Sequence, residues 1–224
     1  MSNIKLIHGD CVKLNEEIPN ESIDLIVTDP PYGMNFQSGY RKVKHEKIAN
    51  DNDLSWLYKW FHKIFKLLKN DTHAYVFCSF HHIDKFKIAA TDAGFVLKNI
   101  LIWHKNNTGM GDLYGDYAPQ YEFILFLTKG NRKLNGRRDS NIIKCPRTGN
   151  DNHPTEKPVN LIQFLISKSS SAGDTVLDNF FGSGSCAIAC HNLGRNFIGH
   201  EIDEKRYLSA KKRVDMILTQ QVLF

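Results

Sequence analysis

Apolar residues recur along this chain in two alternating patterns: short unbroken runs ended by turns, and longer stretches with an apolar residue every third or fourth position. Ile4 to Ile7, stopped by His8-Gly9-Asp10, reads as a short buried strand, and Ile23 to Thr28 reads the same way. That second run is closed by Asp29-Pro30-Pro31-Tyr32-Gly33. Paired prolines cannot donate to a ladder and disfavour helix in the residue before them, so the chain must turn at the carboxyl end of the strand. Leu54, Leu57, Tyr58, Phe61, Ile64, Phe65 and Leu68 mark an amphipathic helix over 53–68. Strands are expected at 74–78, 95–103 and 121–127, with a helix over 83–93 ending at Gly94. Residues 129–147 read as a loop. Leu161, Ile162, Leu165 and Ile166 then mark a helix, 174–178 a strand, 197–199 another, and Asp203 caps a last helix. Strand and helix alternate throughout, so an α/β fold is expected, with a mostly parallel sheet and helices on both faces.

Length and composition agree with one such domain. A chain of 224 residues suits a single α/β unit, and 42% hydrophobic with 24% charged residues is ordinary for a folded protein. No apolar stretch approaches the ~18 residues of a membrane span, and Met1-Ser2-Asn3 lacks the basic start of a secretory signal, so no membrane partner and a cytoplasmic location are expected. Cys11, Cys78, Cys145, Cys186 and Cys190 are odd in number and mostly lie in apolar runs, which fits reduced packing residues. Cys186, Cys190 and His191 lack a second ligand pair at zinc spacing, so no metal site is expected. A net charge of +5 is modest, but its placement is uneven: Lys129, Arg132, Lys133, Arg137, Arg138, Lys144 and Arg147 oppose the single acid Asp139 within 129–147.

Two turns carry chemistry. Asp178-Asn179-Phe180-Phe181-Gly182-Ser183-Gly184-Ser185 joins a strand to a helix, where glycines permit positive φ and close approach of a ligand. Alone it is a weak signal, since it lacks the third glycine of the dinucleotide fingerprint, but Glu201 follows at the end of the next strand, about 20 residues on, where an acid would meet a ribose hydroxyl. Asp29-Pro30-Pro31-Tyr32 is more specific. An exocyclic amine of adenine or cytosine is a poor nucleophile while its lone pair is delocalised into the ring. The Asp29 carboxylate and the Pro30 carbonyl can each accept one of its N–H bonds, stabilising the tetrahedral geometry and the positive charge that develop as the nitrogen attacks. Tyr32 offers a face on which an extruded base can stack.

Taken in order, Asp-Pro-Pro-Tyr, a basic variable stretch, Lys-Pro opening a helix and Asp-x-Phe-x-Gly-Ser-Gly resemble the beta group of DNA amino-methyltransferases, which act on adenine N6 or cytosine N4. The similarity runs from Gly9-Asp10 to the last helix. It implies a Rossmann-like S-adenosylmethionine-dependent methyltransferase fold over 1–224, with a small target-recognition insertion at about 105–150. By position it assigns Asp29, Pro30, Pro31 and Tyr32 to catalysis. Asp178, Phe180, Gly182, Ser183 and Gly184 fall to the turn around the methionyl part of S-adenosylmethionine, Glu201 to its ribose and Asp10 to its adenine. Thr155, Lys157 and Pro158 fall to its methionine tail, which Asp29 also faces. The chain departs from the commoner family pattern at Asn179-Phe180-Phe181 and at Ser185-Cys186, without losing a glycine or an acid.

A base within a duplex must be flipped out to reach the methyl donor, which needs grip on phosphates. Arg41, Lys42 and Lys44, just after the catalytic turn, and Arg132, Lys133, Arg137 and Arg138 in the basic stretch are the candidates. Asp29 favours adenine, because the cytosine-N4 subgroup often has Ser there. Cys145-Pro146 reverses the order of a ring-methylating nucleophile motif. A cytosine-N4 enzyme and a catalytically silent DNA-binding subunit are the alternatives. The resemblance further implies a homodimer, a companion restriction endonuclease, and a prokaryotic cell or a phage-infected host as the setting.

Overall fold

A computed structural model describes residues 2–14, 17–31, 54–108, 114–148 and 156–220. In chain order the elements are β1 (Ile4–His8), α1 (Cys11–Leu14), β2 (Ile23–Thr28), α2 (Trp56–Leu67), β3 (Leu68–Cys78), α3 (Ile83–Asp92), β4 (Val96–His104) and β5 (Tyr121–Lys129). They continue with β6 (Ile142–Lys144), α4 (Val159–Ser169), β7 (Thr175–Asp178), α5 (Ser185–Asn192), β8 (Asn196–Glu201) and α6 (Glu204–Gln220). The expected α/β alternation is present, with boundaries displaced by a few residues.

One eight-stranded sheet runs β1-β8-β7-β2-β3-β5-β4-β6. All neighbouring pairs are parallel except those made by β5, which lies antiparallel between β3 and β4. The direction of β5 matters for the site. Its start, Tyr121 and Glu122, joins the carboxyl ends of β2, β3 and β4, and its end, Lys129, pairs with Thr72 at the opposite edge.

Strand period 2 splits the core between two faces. Ile26 on β2 and Ala74, Val76 and Cys78 on β3 pack with Trp60, Phe61 and Ile64 of α2 and with Phe86 of α3. Leu25 and Val27, with Tyr75 and Phe77, face α4, α5 and α6 through Leu165, Ile166, Ala189 and Val214. Central strands buried on both sides read as the continuous apolar runs seen in the sequence. All five cysteines are unpaired, and four of them are buried packing residues. Among the described residues no helix is long and apolar enough to cross a membrane.

The stretch expected as a loop at 129–147 differs from that reading. Ile142–Lys144 pairs in parallel with β4, extending the sheet by one strand. Three residues are too few for a periodic signal, so only the edge left open by β4 specifies this strand. Within the span 105–150, β5 and β6 belong to the sheet.

Candidate active site at the carboxyl ends of the strands

Open α/β sheets bind ligands beyond the carboxyl ends of their strands. Asp29 follows β2 there, and Asp178 ends the adjacent β7. Thr28 Oγ1 donates to Asp178 Oδ1 at 2.7 Å, so the last residue of the first strand holds the last residue of the other. The Phe180 N–H donates to the same oxygen at 3.0 Å. Burial pushes the Asp178 carboxyl up to about 7, against these two donors.

Beyond Asp178 the chain makes the glycine turn. Gly182 and Gly184 both have positive φ, +49° and +82°, which glycine adopts without the strain other residues would meet. A Cβ on Gly184 would lie 2.9 Å from Val214 Cγ2, so α6 also requires a glycine there, whereas one on Gly182 would meet only Phe180 O at 3.9 Å. Glu201, at the end of β8, closes the turn: its Oε2 accepts the Gly182 N–H at 3.1 Å and its Oε1 accepts the Asp203 N–H at 2.9 Å. Burial raises the pKa of this carboxyl as well. Gly9 donates to Glu201 O at 2.8 Å, bringing the end of β1 and Asp10 alongside, and Asp10 Oδ1 itself accepts the Val12 N–H at 2.9 Å. Acids at three neighbouring strand ends, around a turn of positive-φ glycines, suit a ligand with hydroxyls at one end and positive charge at the other.

Two residues of the turn have roles that pattern reading missed. Asn179 Oδ1 accepts from Trp60 Nε1 of α2 at 2.9 Å, and its Nδ2 donates to His200 Nδ1 of β8 at 3.0 Å. Asn179 thus joins three elements where the commoner family residue, proline, would have no amide to offer. Phe180 turns its ring toward α2, 5.6 Å from both Trp56 and Trp60. Ser183 O accepts from Arg213 Nη1 at 3.0 Å, and Arg213 Nη2 is ion-paired with the buried Glu156 at 2.6 Å, so α6 braces the turn from behind. Glu156 adjoins Lys157-Pro158 in the sequence, which is the signal that could have drawn attention to it.

Lys157, immediately before α4, lies with its Nζ 2.5 Å from Asp29 Oδ2 and 3.1 Å from Glu122 Oε2. The second contact is an ion pair without hydrogen-bond geometry. Glu122 Oε1 accepts from Lys105 Nζ at 2.6 Å. Burial pushes the Asp29 carboxyl up to about 6, opposed by the attraction of Lys157 and reinforced by repulsion from Glu122. Burial works against the Lys157 ammonium, yet Asp29 and Glu122 together hold its pKa above the usual lysine range. Glu122, against the cost of burial, is held below the carboxylate range by Lys157 and Lys105.

Asp10, Asp29, Pro30, Pro31, Lys157, Pro158, Asp178, Phe180, Gly182, Ser183, Gly184 and Glu201 are therefore gathered around one edge of the sheet. Tyr32, Arg41, Lys42, Lys44 and Thr155 lie outside the described residues. The remaining four cations are elsewhere: because β5 is antiparallel, the chain leaves it at the far edge, where Arg132 O meets His73 Nε2 and Arg137 O accepts from Lys168 at the end of α4. Arg132, Lys133, Arg137 and Arg138 thus do not share the edge of Asp29. Lys129 is structural, its Nζ donating to Leu68 O at 2.6 Å. β6 brings the chain back, so that exposed Lys144 and partly exposed Arg147 stand at the near edge, Arg147 through an N–H to Asn106 Oδ1 at 3.1 Å. Tyr114 and Tyr117, almost fully exposed, belong to the connection between β4 and β5 on the same side.

Comparison with known proteins shows the family. A family model described as DNA methylase matches residues 23–146 and 135–212. YubD of Escherichia coli (strain K12), a provisionally named methylase, is 32% identical over 210 residues, covering 94% of this chain and 89% of that protein. The type II methyltransferase M.HpaI of Haemophilus parainfluenzae is 29% identical over 237 residues, 94% and 74% of the two chains. Among solved structures, the M1.HpyAVI complex with S-adenosylmethionine superposes with a TM-score of 0.75 at 28% identity, over 94% of this chain and 99% of the other.

Proposed function

Because this chain belongs to the N6/N4 DNA methylase family and is a DNA methyltransferase that uses S-adenosylmethionine, we propose that its own target is the exocyclic N6 amine of adenine. The observation that carries the proposal is the placement of Asp29-Pro30-Pro31 directly after the strand hydrogen-bonded to the one that ends in Asp178, with Thr28 tying the two ends together. The choice of adenine over cytosine rests on Asp29, where cytosine-N4 relatives often have Ser.

The residues present fit the cofactor. Glu201 spends one acceptor site of each oxygen on a backbone N–H, and each oxygen has a second lone pair for a ribose hydroxyl. Asp178 and Asp29 supply negative charge toward a methionyl ammonium and a sulfonium, and the positive-φ turn at Gly182 leaves open space over its backbone. When bound, S-adenosylmethionine supplies an electrophilic methyl group on a positively charged sulfur. The chain does the rest. Asp29 and the Pro30 carbonyl accept the two N–H bonds of a flipped amine, and charge that builds on the nitrogen is stabilised by groups already in place. As the amine gains a methyl it becomes strongly acidic, and the Asp29 carboxylate takes the displaced proton. Tyr32 stacks on the extruded base.

DNA contact is proposed for Lys144 and Arg147 at the near edge, with Arg41, Lys42 and Lys44 in the segment after the catalytic turn. Arg132, Lys133, Arg137 and Arg138 are left out of that surface because of their position. A single domain, cytoplasmic location, a homodimer and a companion endonuclease remain part of the proposal, the last through likeness to type II enzymes. The test is incubation with labelled S-adenosylmethionine and unmethylated bacterial DNA, then nucleoside digestion and mass spectrometry. N6-methyladenine is expected; N4-methylcytosine would overturn the choice of base, and absence of transfer with cofactor still bound would point to a silent DNA-binding subunit.

A further inference from the structure

Asp29, Lys157, Glu122 and Lys105 come from four separate places in the chain, just past the ends of β2 and β4, the start of β5 and the entry to α4, yet they form one continuous line of alternating charge. Their side chains are only 23%, 9%, 24% and 13% exposed. Two anions and two cations sum to zero, so each buried charge has a counterion and removal of any member leaves another uncompensated. The apolar surroundings sharpen the effect: Lys157 Nζ lies 5.1 Å from the centre of the Phe77 ring and Lys105 Nζ 5.0 Å from that of Trp103. The same line accounts for a carboxylate at Glu122, immediately before the apolar run of residues 123–127. Among the described residues, the ion-pair partners of Glu122 are the two lysines.

We propose that Lys157 is a positioning residue for Asp29, and that Glu122 and Lys105 anchor it, so that the four side chains present the Asp29 carboxylate as an aimed anion to the N–H of the target base. This rests on the amino-methyltransferase reading of Asp29. Lys157 then acts through Asp29 and not chiefly as a clamp on the methionine tail, and Glu122 is a positioning residue that never touches substrate. Among the described residues, the titratable groups around Asp29 are Lys157, Glu122, Lys105, Asp178 and Cys78. Of these, the lysines favour its anion, Lys157 more strongly than Lys105.

The two substitutions have opposite expected signs. In Lys157→Met, burial and repulsion from Glu122 are no longer opposed by the adjacent ammonium, so the Asp29 titration midpoint rises by about one unit or more. In Glu122→Gln, that repulsion is lost and Lys157 is left to Asp29 alone, so the midpoint falls by up to about one unit. Lys157→Arg keeps the charge and holds the midpoint near the wild type. The experiment follows carbon-13 carboxyl signals of the full chain against pH, with Asp29→Asn for assignment, and separately measures S-adenosylmethionine affinity by calorimetry and the acid limb of kcat on DNA. Should Lys157→Met fold poorly, Lys157→Gln and Glu122→Gln read the same quantity. Expected are opposite midpoint shifts, a matching shift of the acid limb, about twofold or greater loss of kcat at pH 7 in Lys157→Met, recovered at higher pH, and cofactor affinity within about threefold. An Asp29 midpoint unmoved by either substitution, or a loss confined to cofactor affinity, would overturn the inference. Failure of the wild-type chain to methylate any DNA amine would instead overturn the proposed function, since the titration is read without DNA.

Discussion

Thr28 and Asp178 are 150 residues apart in the chain and share a 2.7 Å hydrogen bond in which the threonine hydroxyl donates to the carboxyl. The bond joins the strand that carries Asp29 to the strand that opens the glycine turn, so the two functional halves cannot move independently at that point. It also shows the cost of the site, because Asp178 is buried and its charged form is disfavoured.

Asp178→Asn should therefore stabilise the free chain and weaken cofactor binding. The amide oxygen can keep the donors from Thr28 and Phe180 while the buried charge disappears. With a folded pKa near 7 against 3.8 in the unfolded chain, the acid opposes folding as pH rises from 3.8 to 7. Thermal unfolding at pH 8 should show a gain of about 1–3 kcal/mol. Calorimetry should show at least about tenfold weaker S-adenosylmethionine binding, and the wild type alone should lose affinity as pH falls below about 7, up to about tenfold per unit.

Asn179→Ala should destabilise the fold by about 1–3 kcal/mol, because Trp60 Nε1–H and His200 Nδ1 lose their partner inside the core. His200 Nε2 already lacks a partner among the described residues, so a second orphaned atom on the same ring is costly. Chemical denaturation measures the loss; a change within 0.5 kcal/mol would show that the bridge between α2 and β8 contributes little.

The two glycines of the turn should differ. Gly184→Ala meets both a +82° φ and a 2.9 Å contact with Val214, while Gly182→Ala meets only the backbone strain at +49°. We expect about 2–3 kcal/mol for the first and about 1 kcal/mol for the second. Val214→Ala should relieve the steric part in a Gly184→Ala background. Equal losses for both glycines, without such relief, would mean that contact with α6 is unimportant.

His73 should make folding sensitive to mild acid. Its Nε2–H donates to Arg132 O at 3.2 Å, leaving Nδ1 to accept from Ser169 Oγ at 2.8 Å, and burial lowers its pKa to about 4. The unfolded chain gains a proton at about 6.5 that the folded one refuses until about 4, so this contribution to stability is full above pH 6.5 and falls as pH drops toward 4. Asp29 and Asp178 act in the opposite sense, so the comparison is a difference. The gap in unfolding free energy between wild type and His73→Gln should move against the wild type by up to about 1.4 kcal/mol per pH unit in that window. A gap that stays constant from pH 7 to pH 4.5 would contradict it.

Most elements were legible because their signals are local. The apolar run of Ile23–Thr28, the helical spacing from Leu57 to Phe65 and the glycines between Asp178 and Ser185 each act within a few residues. The resemblance could place Asp29, Asp178 and Glu201 because their turns keep their order in the chain. Glu122 could be given no role from the sequence: one acid at the head of an apolar strand has no period, and its partner Lys157 lies in another motif. Arg132, Lys133, Arg137 and Arg138 read as part of one basic stretch with Lys144 and Arg147, although the fold puts the two groups at opposite edges.

By itself, then, the sequence determined the α/β alternation, the two chemical turns and the identity of the residues within them, since backbone preference and side-chain period are properties of neighbouring residues. Only the tertiary structure decided that β5 runs antiparallel between β3 and β4, and with it that Glu122 meets Lys157 while Arg132 is carried away. A strand buried on both faces shows the same apolar run whichever way it points; its direction is chosen by packing and pairing with strands remote in the chain, and so are the charges found at its two ends.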